Sequence, residues 1–131
     1  MARGPFEGVL APVATPFHED LSVDTGRFVA FAQDLLAKGC SALVPFGTTS
    51  EATSLSLDER MAMLTALREA EVRGEKLLPG TGLANLPETV RLTRHAVEQG
   101  CGGVLLLPPF FYKKIDDEGL NPYVCELVQQ V

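Results

Sequence analysis

The sequence predicts an α/β protein of about four successive βα units with parallel strands, the N-terminal portion of a (β/α)8 TIM barrel. Short apolar segments rich in Val and Leu alternate with helical patterns along the chain. These segments do not alternate between apolar and polar residues, which is typical of parallel strands buried on both faces. The sequence ends at Val131 within the apolar pattern of a helix, and four strands cannot close a barrel that takes ~250 residues. We therefore expect residues 1–131 to form a single partial barrel domain, truncated at the C-terminus.

The four strands are expected at residues 8–14, 40–46, 76–80 and 102–108. Alternation of strands and helices implies a parallel sheet with right-handed crossover connections. An open doubly wound sheet of flavodoxin type is the alternative architecture, but that strand order normally needs a fifth strand. The partial barrel is therefore the preferred interpretation.

The first two helices have recognisable ends. Asp24 is the predicted N-cap of the first helix, and Gly39 fits the position after its last turn, where a positive φ is needed. In the second helix, Ser56 and Glu59 form a capping box, and Gly74 is the predicted end. The apolar faces consist of Phe28, Phe31, Ala32, Leu35 and Leu36 in the first helix and of Leu57, Met61, Leu64 and Leu67 in the second.

The third and fourth helices are predicted in the same way. Pro87 is expected near the first position of the third helix, Glu88 suits its first turn, and Gly100 follows its end. The fourth helix is expected to start near Asp116 or Asp117. The apolar faces consist of Val90, Leu92, Ala96 and Val97 in the third helix and of Leu120, Val124, Leu127 and Val128 in the fourth.

Composition excludes several classes of function. The chain is 46% hydrophobic and 21% charged with a net charge of −6, and its scattered basic residues disfavour a nucleic-acid partner. No apolar run is long enough to span a bilayer. Three cysteines without metal-ligand spacing predict buried thiols in a reducing cytoplasm. The two histidines, His18 and His95, have no partner at metal-ligand spacing, so we predict no metal site.

The loop after the second predicted strand is the most informative candidate site. It contains Gly47, Thr48, Thr49, Ser50 and Glu51. In both architectures ligands meet the loops at the carboxyl ends of the strands. Hydroxyl groups and successive amides at such a strand end can form a cradle for a carboxylate or phosphate. A Ser/Thr-rich turn that caps its own backbone explains the composition equally well.

Known phosphate-binding motifs are weak or absent. Gly80 and Gly82 begin a dinucleotide-type pattern, but Asn85 stands at the position of its third glycine. No G-x-x-x-x-G-K-[ST] motif occurs either. We predict no cofactor.

Four loops together resemble the dihydrodipicolinate synthase / N-acetylneuraminate lyase family. The matching loops are 14–17 (Ala-Thr-Pro-Phe), 47–51 (Gly-Thr-Thr-Ser-Glu), 80–82 (Gly-Thr-Gly) and 108–113 (Pro-Pro-Phe-Phe-Tyr-Lys), and the fourth is followed by a matching helix start at 117–120 (Asp-Glu-Gly-Leu). Their order and spacing match along essentially the whole chain. The resemblance implies a (β/α)8 barrel, usually a homo-oligomer, with class I aldolase chemistry on pyruvate or another 2-keto acid. In that chemistry a lysine amine forms an imine with the keto group.

The resemblance also implies roles for individual residues. Thr48 would belong to a hydroxyl relay that moves protons to and from the imine, and Thr49 would bind the carboxylate. Ser50 stands where many members have glycine and could add a donor. Phe111 stands where many members place a relay tyrosine that reaches a neighbouring subunit, and Tyr112 follows it. Packing at a subunit contact is an equally good explanation of this aromatic pair.

The family's Schiff-base lysine lies on a later strand than those predicted here. None of the lysines present, Lys38, Lys76, Lys113 and Lys114, is predicted to lie in a desolvated barrel interior. We therefore expect a pyruvate-dependent lyase in which this chain supplies the carboxylate loop without the imine-forming lysine. A non-catalytic keto-acid-binding module is the alternative, and a flavodoxin-like sheet that binds a phosphorylated ligand is a third possibility.

Overall fold

The computed structural model describes residues 6–131, so residues 1–5 of the predicted domain lie outside the description. Its elements are β1 (Leu10–Pro12), α1 (Thr25–Ala37), β2 (Ala42–Val44), α2 (Leu57–Glu69), α3 (Leu86–Glu98) and α4 (Asp117–Gln130). Two short 3₁₀ turns, Ala52–Ser54 and Gly74–Lys76, flank α2. Among the helices of the described part, none is both long and apolar enough to cross a membrane.

The sheet is parallel, as predicted, but its third and fourth members are single bridges. β1 and β2 pair with Leu10 opposite Ala42 and Pro12 opposite Val44. Leu43 then bridges Leu77, and Gly80 bridges Leu105. The four predicted segments therefore lie side by side in chain order.

The predicted strands at residues 76–80 and 102–108 were too long. Each forms only an isolated parallel bridge in the structure, and β1 and β2 are also shorter than the predicted ranges. Prolines interrupt the ladder because they have no amide to donate. Pro45 directly follows β2, and Pro79 lies within the third segment. Gly102 and Gly103 further weaken strand pairing in the fourth segment.

All four predicted helix starts are confirmed. The side chain of Asp24 accepts from the amide of Arg27, and the Ser56–Glu59 capping box is complete. The side chain of Asn85 caps α3 and that of Asp116 caps α4. Local hydrogen bonds between residues three apart therefore define where these helices begin.

The helix ends follow the prediction in two cases and depart from it in one. Gly39 and Gly100 have positive φ values of 100° and 70°, as expected after α1 and α3. The prediction that Gly74 ends α2 was wrong, because the helix ends at Glu69 and Glu71 takes the positive φ. Gly74 is buried in a 3₁₀ turn, where a Cβ would collide with the carbonyl of Gly100. The close approach of these two backbone segments explains why a glycine stands at this position.

The hydrophobic core lies between the sheet and the first three helices. It contains Val13, Phe28, Leu43, Leu64, Leu67 and Leu77, all fully buried. Four residues of the predicted apolar faces are instead exposed: Phe31 by 39%, Val97 by 56%, Val124 by 37% and Val128 by 66%. The helices thus bury narrower stripes than the sequence indicated, and the first two βα units contain most of the core.

Candidate functional site

The loop at residues 47–51 makes a tight turn directly after β2. The amide of Ser50 donates to the carbonyl of Gly47 (3.1 Å), and that of Glu51 donates to the carbonyl of Thr48 (3.0 Å). Phe46 and Glu51 flank the turn with positive φ values of 65° and 53°. Such conformations cost about 1–3 kcal/mol each in non-glycine residues and persist where the surroundings impose them. This turn is therefore held in one shape.

Ser50 fastens the turn to the end of β1. Its side chain is fully buried. The Ser50 hydroxyl donates to the carbonyl of Val13 and accepts from the amide of Phe46 (2.9 Å). The hydroxyl of Thr15 donates to the Ser50 carbonyl (2.7 Å). The hydroxyl and amide protons of Ser50 are both used inside the protein, so a contact between Ser50 and a substrate stays a prediction.

Thr48 and Thr49 are exposed at the tip of the turn. Within residues 6–131, the amides of Gly47, Thr48 and Thr49 donate to no protein acceptor. Successive amides of this kind in a turn form a concave anion-binding surface. These three amides are therefore available to an external acceptor, and the anion cradle itself stays a prediction.

A cavity of about 280 Å³ opens beside this turn. Gly47 and Thr48 line it directly after β2, Gly80 and Gly82 at the end of the third strand segment, and Leu105 and Leu107 from the fourth strand segment. Thr49 lies outside this lining, so the structure brings Thr48 into the cavity and places Thr49 next to it. The loops at the carboxyl ends of three neighbouring strand segments thus meet at one site, as the fold class predicts.

The two glycines of the third loop have a packing role. A Cβ at Gly80 would collide with the carbonyl of Phe46, and a Cβ at Gly82 would lie 2.7 Å from the Cβ of Leu107. Side chains at these positions would also narrow the cavity. The glycines therefore allow neighbouring segments to approach closely, and no phosphate-binding role is needed to explain them.

Arg60 is a residue of the site that sequence reasoning missed. Its side chain lines the cavity and is only 3% exposed. Burial lowers the pKa of its guanidinium below the ordinary value, and the negative charge of Glu88 opposes that shift. The signal was present in the sequence, because Arg60 lies on the same face of α2 as Leu64 and Leu67, at spacings of four and seven residues. A charged residue within a buried stripe indicates a specific role.

Phe111 and Tyr112 lie away from this cavity. Their rings pack edge to face with centroids 5.3 Å apart, and they are 72% and 76% exposed. Phe110, one residue earlier, reaches the cavity instead. The structure thus does not bring Phe111 or Tyr112 to Thr48, and their role at a subunit contact or in proton relay stays a prediction.

The four lysines do not line the cavity either. Lys38 pairs with Asp34 at 2.6 Å on the surface of α1. Lys76 lies in the 3₁₀ turn before the third strand segment, and Lys113 and Lys114 are exposed in the fourth loop. All four lysines therefore lie apart from this cavity, and the absence of the imine-forming lysine from this chain stays a prediction.

Both histidines have neighbouring polar partners, whereas the prediction of three buried thiols was wrong, because Cys40 and Cys101 are half-buried and Cys125 is exposed. His95 Nε2 lies 3.1 Å from both the Thr65 hydroxyl and the Met61 carbonyl, between α3 and α2. His18 Nδ1 lies 3.7 Å from Asp24. Burial raises the pKa of the Cys101 thiol to about 11, so it is not a thiolate at neutral pH. Across residues 6–131, no cluster of three or more His, Cys, Asp or Glu residues could hold a metal ion.

The family model and the related sequences that match this chain indicate the same family. The model of the dihydrodipicolinate synthetase family matches residues 5–130. The chain is 37% identical over 119 residues to 4-hydroxy-tetrahydrodipicolinate synthase of Synechococcus sp. (strain CC9311), covering 91% of this chain and 39% of the relative. It is 32% identical over 126 residues to the same enzyme of Rhizobium meliloti (strain 1021), covering 96% and 42%.

Solved structures agree with this result. Dihydrodipicolinate synthase of Agrobacterium tumefaciens superposes with a TM-score of 0.89 at 27% identity, covering 95% of this chain and 44% of that one. YagE, a prophage protein of E. coli K12 solved in complex with pyruvate, gives 0.88 at 29% identity, covering 96% and 42%. The chain therefore has the fold of part of these barrels and spans less than half the length of the relatives it matches.

Proposed function

Because the chain belongs to the dihydrodipicolinate synthetase family, we propose that it supplies the keto-acid-binding part of a pyruvate-dependent lyase of the Schiff-base type. The observation that carries the proposal is the turn at residues 47–49, whose three amides are available beside a cavity at the carboxyl ends of the strands. A carboxylate fits such a group of donors. The family membership and the pyruvate complex of YagE support pyruvate as the anion.

Thr48 and Thr49 have different roles in this proposal. Thr49 binds the pyruvate carboxylate through its amide and hydroxyl. Thr48 lines the cavity, so its hydroxyl is the one that reaches the keto carbon and relays protons there. Ser50 acts through the turn, which its buried hydrogen bonds hold in shape. Preorganised donors of this kind lose no free energy to rearrangement when the anion arrives.

Replacing either threonine tests the anchor directly. Thr48→Val and Thr49→Val keep the shape of the side chain and remove its hydroxyl, so we expect each to weaken pyruvate binding about tenfold or more, the value of one hydrogen bond to a charged group. Isothermal titration calorimetry measures the affinity. Thr53→Val is the matched control, because Thr53 lines the same cavity but lies outside the turn. Unchanged affinity in both variants, or an equal loss in the control, would disprove the anchor.

The imine-forming lysine, we further propose, is none of the four lysines in this chain. The imine forms when a neutral amine attacks the keto carbon and water leaves, which needs an amine close to the bound keto group. Lys38, Lys76, Lys113 and Lys114 lie outside the cavity. This arrangement also suits the second candidate function, a keto-acid-binding module without catalysis.

Borohydride reduction distinguishes an amine that reacts from one that does not. Borohydride converts an imine to a stable secondary amine, which adds mass to the chain. We expect the 14.1 kDa chain incubated with pyruvate and borohydride to keep its mass in an intact-protein mass spectrum. A reduced adduct on a residue of this chain would show that one of the four lysines is activated.

A further inference from the structure

Arg60 has hydrogen-bonding capacity that the protein does not use. Its Nη2 donates to the carbonyl of Ala52. Its Nε and Nη1 are buried and have no partner among the described residues. Buried charges in proteins are nearly always paired, because an unpaired charge loses its hydration without compensation. Two unpartnered donors on one guanidinium therefore need an explanation.

Glu88, whose charge acts on Arg60, does not provide that partner. Glu88 acts on Arg60 only at a distance, through its charge. Its carboxylate is exposed and instead accepts a hydrogen bond from the side-chain amide of Asn85 at 2.7 Å. Support of the 3₁₀ turn through Ala52 uses one nitrogen of the guanidinium and leaves the other two unexplained. An external anion is the partner that the arrangement lacks.

The position of Arg60 indicates where such an anion would bind. Arg60 lines the same cavity as Gly47 and Thr48, whose amides belong to the proposed carboxylate cradle. The remaining walls include Phe46, Leu105 and other apolar side chains. Apolar walls exclude water and strengthen a charge-assisted hydrogen bond. A guanidinium presents adjacent donors in the planar geometry that a carboxylate accepts.

We infer that Arg60 is a second anion-binding position of this cavity, and that the ligand class is a small 2-keto acid with a second carboxylate. The first carboxylate lies on the amides of residues 47–49, and the second accepts from Nε and Nη1 of Arg60. This inference rests on the proposed keto-acid site. A cavity of about 280 Å³ is at the small end of ligand sites, which suits a short dicarboxylate.

Calorimetric titration with pyruvate and with 2-oxoglutarate tests the inference, because the second compound carries the additional carboxylate. We expect 2-oxoglutarate to bind about tenfold more tightly than pyruvate, from one more charge-assisted contact. Arg60→Gln should abolish that difference between the two acids. Arg91→Gln is the control, since Arg91 is an exposed arginine paired with Asp58 and both affinities should stay unchanged.

A measurement on the unaltered chain covers the possibility that Arg60→Gln does not fold. Arginine Nε–H groups give separate signals in nitrogen–proton NMR, and Arg60→Lys identifies the signal of Arg60 while keeping the charge. We expect 2-oxoglutarate to shift this signal and pyruvate to leave it in place. An unshifted signal, or equal affinities for the two acids, would overturn the inference.

The outcomes separate this inference from the proposed function. If pyruvate binds through Thr48 and Thr49 and 2-oxoglutarate gains nothing from Arg60, the second position fails and the keto-acid site stands. If 2-oxoglutarate binds through Arg60 and pyruvate does not bind at all, the second position stands and the cradle fails. If neither acid binds, both fail.

Discussion

Ser50 shows how a single buried hydroxyl can determine the shape of a binding loop. It connects the turn after β2 to the end of β1 through Val13, and the hydroxyl of Thr15 adds a third hydrogen bond. The sequence identified Ser50 as a member of a hydroxyl-rich loop but gave no means of telling which hydroxyl faces inward. Long-range contacts between residues 35 to 37 positions apart decide that.

Removing that hydroxyl tests its structural role. Ser50→Ala leaves the carbonyl of Val13 and the amide of Phe46 without their partner, so we expect the free energy of unfolding to fall by about 2 kcal/mol. Ser54→Ala is the control, because Ser54 is exposed in the same loop region, and its effect should stay within about 0.5 kcal/mol. Urea unfolding measures both. Equal effects would show that the Ser50 hydrogen bonds do not hold the loop.

At the scale of the element, the helices were predictable because their signals are local. Asp24, Ser56 and Asp116 each cap an amide three residues further on, so the sequence contains the whole interaction. The lengths of the third and fourth strands could not be predicted, since the apolar pattern indicates burial but not hydrogen bonding. Pro79 lies within such a segment and cannot donate to its neighbour. The prediction that Gly74 ends α2 was wrong because glycine is favoured both after the end of a helix and where two backbone segments approach closely.

The capping box of α2 makes a prediction about pH. Hydrogen bonds from the amide and hydroxyl of Ser56 lower the pKa of Glu59 below its ordinary value of 4.5. Because the pKa is lower in the folded state, the unfolded state binds more protons as the pH falls. The stabilisation is therefore fully present above about pH 4.5 and disappears as the pH falls through the folded-state pKa.

Glu59→Gln isolates this contribution, because glutamine keeps the capping geometry and cannot ionise. We expect the wild-type chain to be more stable than the variant at neutral pH, with the difference decreasing below about pH 4.5. Urea unfolding at several pH values gives both stabilities. A difference independent of pH would show that the charge of Glu59 contributes nothing to the cap.

At the scale of the whole molecule, the site is formed by segments far apart in the sequence. The turn after β2, the glycines of the third loop and the leucines of the fourth strand segment line one cavity. The parallel order of strands predicted this meeting, because their carboxyl ends lie at one edge of the sheet. The contribution of Arg60 came from α2, outside the strand-end loops, where its spacing from Leu64 and Leu67 indicated burial and the packing of the helix showed which cavity it lines. Homo-oligomer formation and a cytoplasmic location stay predictions.

The central claim is that a keto acid binds to the amides of the turn at residues 47–49. Nitrogen–proton NMR of the isotope-labelled chain during a pyruvate titration tests it most directly, since each amide reports on its own surroundings. We predict that the largest shifts belong to Gly47, Thr48 and Thr49 and saturate together, while the amides of α1 and α4 stay unchanged. Saturation without shifts at these three amides, or no shifts at all, would contradict the account.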